Sequence, residues 1–521
     1  MKRSTSETKS TFEIENGVLK GYKGTKQHVV IPEGVTKIGM SAFRGNKRVR
    51  YVEMPDTVTV IDWWAFAGCT NLREIKLSNN LTTIGFEAFK GCESLEAIRF
   101  PESLACLEGH AFDGCTNLRE IQIPAGVTQI ANGLFFECTN LSNVVLHEQL
   151  TAIETYAFWE CENLTHIEIP DSVTQIGESA FSGCRKLKNV QLPSNITVLE
   201  RFLFSGCDLE TIFLPPSITA IKVDAFCGCP IREIQLPEKL TYLSGFNLCE
   251  QLKEIEIPDN VTEIGFRAFA ECNNLKHVHL PNGVVTLGSH SFWHCRSLER
   301  LTLPETLTAI ENDAFRDCES LVELSLPKGV TEIGIRAFSS CKKLSSINIP
   351  DSVKVIGKEA FFACESLTQI VIPNGVQVIG TRAFEGCKAL AEVILPGTLT
   401  AIADRTFLHC TSLEKVTFPE DIKRIGESAF EECTSIVSVA LKDGVTFIDK
   451  RAFLNCRKLE TVTLSKTIEV IEDAAFKGCE SLKSIVIHDN GKSKIDLYFD
   501  VFAGCASLTE VTLPNNLDMI S

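Results

Sequence analysis

The sequence predicts a repeat solenoid of α/β type: a parallel sheet along one side and short helical or 3-10 turns along the other. Three observations carry this. A 23-residue unit recurs about twenty-one times, each copy alternates apolar residues over a short stretch, and the scarcer residue types keep fixed columns in the unit.

The period is countable. Ala, or Leu at 134 and 203, followed by Phe places Phe at 43, 66, 89, 112, 135, 158, 181 and 204, always 23 apart. The step resumes at Phe269 and holds through Phe476, and a last copy falls at Phe502 after a three-residue insertion around Asn490-Gly491-Lys492. Between the regular arrays Phe226 and Leu248 mark two shortened copies, giving steps of 22, 22 and 21.

One copy, Cys161 to Gly183, reads CENLTHIEIPDSVTQIGESAFSG. Leu164 to Ile169 alternates with period two and is rich in β-branched residues, as a short half-buried strand requires. Pro170 stops that strand because it has no N–H to donate to a ladder. Val173, Ile176, Ala180 and Phe181 then recur at helical spacing, which predicts a turn and one helical or 3-10 turn folding back over the core. No copy can bury its apolar face alone, so stacking supplies the core and the Phe column becomes an aromatic spine.

The columns absorb most of the unusual composition. Seventeen of nineteen prolines stand at the strand end, and twenty of twenty-two cysteines lie in or beside the column after Gly. Cysteines at this spacing on adjacent coils are close enough for disulfides, but a buried, one-per-coil thiol has a packing role as a small hydrophobe. Reduced structural thiols are therefore expected. There is no Cys-x-x-Cys; Cys227-Gly228-Cys229 alone does not complete a zinc site.

The pattern Leu-x-x-Ile-x-Leu preceded by Cys resembles the leucine-rich repeat. The added Pro, the Ile-Gly-x-x-Ala-Phe segment and the 23-residue period resemble its BspA-like subclass. The opening, Phe12 to Tyr22 and then Val29-Val30-Ile31-Pro32, resembles that subclass's N-terminal cap. The resemblance covers about residues 12–521. It implies a leucine-rich-repeat solenoid curved into a right-handed superhelix, with the sheet on the concave face, and a role in adhesion or protein binding at a cell surface.

The organisation expected is a disordered tail over 1–11, a cap over 12–43, regular repeats over 44–204, irregular shortened repeats over 205–268, regular repeats over 269–476 and a terminal repeat with the insertion over 477–521. Export signals and membrane spans are not apparent in the chain as given, which together with the thiols favours the cytoplasm; secretion or a surface location is the alternative. A net charge of −16 without basic runs argues against nucleic acid. No phosphate loop, zincin motif or nucleophile elbow is found, so neither catalysis nor a cofactor is expected. A monomer binding a protein partner is the leading expectation, with a carbohydrate-binding or purely structural module as the alternative.

Candidate binding residues lie where the repeat does not dictate identity. On the concave strand face the central exposed column changes from charged and amide residues to small or β-branched ones along the chain. From it and its neighbours come Phe213, Gln235, Glu254, Glu256, His277, His279, Val371 and Ile394. His277 and His279, facing Glu254 and Glu256 on the preceding coil, are the one grid with ligand types for a divalent metal or a pH-sensitive patch. Phe136, Trp159 and Trp293 follow the Phe spine and form an aromatic rim. The shortened copies predict a kink or flat spot that either joins two arrays or docks a partner.

Overall fold

The computed structural model describes residues 11–489, 491, 495–515 and 517–520, for 518–520 the backbone alone. The expected tail thus lies, apart from Thr11, outside the described residues, as do Asn490 and Lys492 of the insertion. The chain divides into two units, Met1–Leu252 and Lys253–Ser521.

Each unit is a parallel solenoid with two ladders per coil. In the first unit a front strand such as His166–Glu168 pairs in parallel with Asn189–Gln191 on the next coil. A back strand of two residues, Gln175–Ile176, pairs with Ala152–Ile153. Ile167 is buried between exposed His166 and Glu168, the outcome expected from period-two alternation. Pro170 ends the front strand and also opens the next turn, since its carbonyl accepts from Val173 N–H at 3.0 Å. An antiparallel hairpin, Phe12–Glu15 with Val18–Tyr22, begins the first unit.

The segment after the back strand corrects the expected helical turn: among the described residues no repeat contains a helical or 3-10 segment. Around Phe158 alternate amides point in two directions. Tyr156, Phe158 and Glu160 N–H donate to the Glu178, Ala180 and Ser182 carbonyls of the next coil at 3.1, 2.8 and 2.8 Å, while Ala157 and Trp159 N–H close back on Glu154 and Tyr156. A helix would turn every N–H back on its own coil. The alternation is achieved by left-handed backbone two residues before and two after the spine Phe, as at Tyr156 (φ 58°) and Glu160 (φ 53°). The second of these positions is the Gly of the repeat, Gly183 at φ 77° for example, which explains its recurrence.

The aromatic spine is continuous within each unit. Phe158 and Phe181 stack at 5.3 Å and 4°, and Phe338 and Phe361 at 5.4 Å and 7°. Tyr22 caps the first unit's spine at 5.2 Å from Phe43.

The spine also re-phases the shortened copies. Phe246, not Leu248, is the fully buried ring stacked on Phe226, at 5.5 Å. Leu248 instead takes the left-handed Gly position, at φ 60°. The spine steps 22 and then 20 residues, from Phe204 through Phe226 to Phe246, not 22 and 22. The back ladder keeps steps of 22, pairing Val198, Ala220 and Tyr242. Two residues are therefore missing between Leu243 and Phe246, and one from each preceding Cys-x-x-Leu turn, which reads Cys207-Asp208-Leu209 and Cys229-Pro230-Ile231.

Candidate interaction surfaces

Shortening those two turns has a local consequence on the front face. In regular copies the turn delivers the chain to the ladder in register: Leu164 N–H closes on Cys161, and Lys188 N–H reaches Thr165 of the preceding coil. After Cys207 and Cys229 the turn is one residue short. Residues 211–213 and 233–235 then form no strand, and among the described residues no backbone hydrogen bond joins them to 189–191 or to each other. The middle residues Ile212 and Ile234, buried in most regular copies, become half-exposed. One other copy of the first unit, at 97–99, also lacks a front strand; its Cys-x-x-Leu turn has full length, and nothing in the structure explains it.

Phe213 stands at this interruption. It is 77% exposed, the most exposed large apolar side chain among the described residues. Beside it is a slot of about 300 Å³ lined by Phe213, Leu214, Pro216, Gln235, Leu236 and Pro237. Phe213 and Gln235 are thus brought together, at an apolar opening flanked by segments that, among the described residues, form no front-ladder hydrogen bond.

The other expected front-face residues form two separate groups in the second unit. Val371 and Ile394 are in register on adjacent strands and 71% and 51% exposed, and Val371 ends a shallow groove of about 650 Å³ that begins at Leu301. Glu254 faces His277 and Glu256 faces His279 across one strand pair, all four exposed. Among the described residues no group of three or more His, Cys, Asp or Glu side chains is placed to hold a metal ion. The grid is two side-by-side acid–imidazole pairs rather than a chelating cluster.

The aromatic rim is longer than the sequence suggested. Phe136 and Trp159 stack at 4.3 Å and 16°. From Phe136 the contacts run through His110 (6.0 Å) and Phe86 (5.9 Å) to Trp64 (6.4 Å) and Trp63 (6.3 Å), and on the other side to Tyr156 (6.3 Å). Sequence reading missed this because the rings occupy different positions in each copy, before or after the spine Phe. Trp293 belongs to a smaller group in the second unit, 5.6 Å from His290 and 4.3 Å from His294. Burial there holds His290 below the ordinary histidine range despite nearby Asp313.

The cysteine column is structural. None of the twenty-two cysteines is in a disulfide, and a column thiol donates to the carbonyl of the spine Phe on the preceding coil, as Cys341 does to Phe315 at 3.1 Å. Burial pushes buried column thiols such as Cys92 and Cys318 far above their usual value, and Cys69 up to about 12, so these are inert as nucleophiles at neutral pH. A hydrogen bond with Cys479 instead lowers the half-buried terminal Cys505.

Family comparison decides the remaining question of kinship. The model of the BspA type leucine rich repeat region (6 copies) matches residues 13–142, 128–247, 242–368, 354–483 and 425–521.

The chain belongs to the BspA-type leucine-rich repeat family.

No curated protein matches this BspA-type chain. Among solved structures it is similar to a leucine rich cell surface protein from Faecalibacterium prausnitzii, 27% identical over 77% of this chain and 89% of that one, with a TM-score of 0.32. A leucine-rich repeat protein from Bacteroides ovatus is 25% identical, covering 91% of each chain, with a TM-score of 0.29. The T. pallidum leucine rich repeat protein is 29% identical over 34% of this chain and 89% of its own, with a TM-score of 0.32. No helix among the described residues is long and apolar enough to cross a membrane.

Proposed function

We propose that this BspA-type chain is a non-enzymatic scaffold for protein–protein interaction or adhesion, and that its partner docks at the interrupted front ladder around Phe213. One observation carries the reading: a 77% exposed Phe beside an apolar slot, on front segments 211–213 and 233–235 that, among the described residues, form no backbone hydrogen bond to 189–191 or to each other. A protein segment in extended conformation satisfies both needs at once, placing a side chain in the slot and pairing its backbone with 211–213 or 233–235. Aromatic anchors in pockets are also where binding energy concentrates in protein interfaces.

Labelled full-length chain applied in parallel to a protein array and a glycan array tests this. The expected result is binding to protein features that Phe213→Asp abolishes while the melting temperature is unchanged. Binding of non-basic protein features that survives Phe213→Asp overturns the placement. A glycan-only response, abolished by Trp159→Ala, overturns the reading in favour of carbohydrate recognition.

A further inference from the structure

The aromatic rim of the first unit is a second surface, built from the turns after the back ladder rather than from the front strands. Its rings make one unbroken band over five successive coils. Trp63 is 45% and Tyr156 37% exposed, and the rings between them are half-buried, so the band is an accessible apolar and π-rich strip.

The charge around it is predominantly negative. In the turn segments 62–69, 85–92, 108–115, 131–138, 154–161 and 177–184 the single lysine is Lys90 and there is no arginine. Lys90 is already held by Glu87 at 3.1 Å and Asp113 at 3.0 Å. Glu137 follows Phe136 and Glu160 follows Trp159 in the chain, and Glu178 is the residue of the next coil whose backbone carbonyl accepts from Tyr156 N–H, so acidic residues neighbour the ring-bearing positions. Among the described residues Glu137, Glu154, Glu160 and Glu178 form no ion pair. Two further carboxylate neighbours, Glu154 and Glu178, line a polar groove of about 680 Å³ running from Gln129 to Glu200.

The chain itself shows what such rings accept. In the second unit Arg267 lies over both Phe266 (5.1 Å) and Trp293 (6.0 Å). At the start of the first unit's band Arg44 lies over Trp64 at 5.5 Å. Over the stacked Phe136–Trp159 pair and Tyr156 there is, among the described residues, no guanidinium or ammonium. A cation placed there gains both the ring quadrupole and uncompensated carboxylates.

We infer that the Phe136–Tyr156–Trp159 end of this band binds a basic polypeptide segment, arginine-rich in preference to lysine-rich. The preference follows from shape: a planar guanidinium stacks on a ring while its edge donates to a carboxylate, whereas an ammonium is a hydrated point charge.

The test uses full-length chain and two capped probes, nona-arginine and nona-lysine, with tryptophan emission and calorimetry at low and moderate salt. Three of the four tryptophans, Trp63, Trp64 and Trp159, belong to the band, so emission reports on it. Nona-arginine is expected to bind more tightly than nona-lysine. Trp159→Ala, and separately Glu137→Gln with Glu160→Gln, should weaken it about five- to ten-fold. Glu323→Gln with Glu332→Gln removes two charges from exposed strand positions of the second unit and should leave binding unchanged. Equal affinity for the two probes, equal weakening by both charge-removal variants, or no binding at all would each reduce the band to general electrostatic attraction or to packing, and overturn the inference.

Discussion

The Cys161 thiol donates to the carbonyl of Phe135, 3.3 Å away and 26 residues earlier, and that same carbonyl also accepts from Cys138 N–H at 3.1 Å. Spine and thiol columns are thus one device: each buried Phe carbonyl needs both donors, one from its own coil and one from the next.

This predicts a steep alkaline limit to stability. The folded coils hold the thiols protonated well above the ordinary value of 9.0, while the unfolded chain releases those protons near it. Stability is therefore fully present below pH 9 and declines as pH rises from there towards the folded values, by about 1.4 kcal/mol per thiol per pH unit. Urea midpoints followed by circular dichroism should be flat between pH 7 and 8 and fall sharply by pH 10. Equal midpoints at pH 8 and 10 would contradict buried, protonated thiols.

Re-phasing of the shortened copies separates Phe246 from Leu248. Phe246→Ala removes a fully buried ring and should cost about 3–5 kcal/mol. Leu248→Gly relieves a left-handed backbone at a half-buried side chain and should cost far less or stabilise. Denaturant titrations of the two variants give this order, and the reverse order would restore Leu248 to the spine.

Several copies place a side chain where the repeat carries Gly at positive φ. Ala363, at φ 54°, is the simplest because little packing is lost with its methyl. Ala363→Gly should raise the unfolding free energy by about 1 kcal/mol. A lower melting temperature for the variant would show that the left-handed conformation is not strained there.

Much of this was legible in the sequence. The parallel solenoid, the Phe spine, the Pro stops and the buried Cys column all follow from a strict period, because a column fixed in sequence is a column fixed in space. The helical spacing of Val173, Ile176 and Ala180 predicts a helix in the return segment, which the structure does not form. What decides it is the direction of alternate amides, and left-handed φ at residues such as Glu160 does not show in hydrophobic spacing. Leu248 was misplaced because only the total deletion is visible in the count. The structure shows it falling partly in the Cys-x-x-Leu turns and partly before Phe246. Phe213 and Gln235 were legible as exposed and irregular, but their apolar slot depends on a ladder that fails to form. The aromatic band escaped because its rings keep no common column.

The most direct test is hydrogen–deuterium exchange across the front strands of the free, full-length chain. If the one-residue-shorter turns after Cys207 and Cys229 open the ladder, amides in 211–214 and 233–236 exchange at least about ten-fold faster than those of the paired strands Thr461–Thr463 and Ser484–Val486. Equal protection in both sets would mean that the ladder is closed at Phe213, and would remove the structural basis for a docking site there.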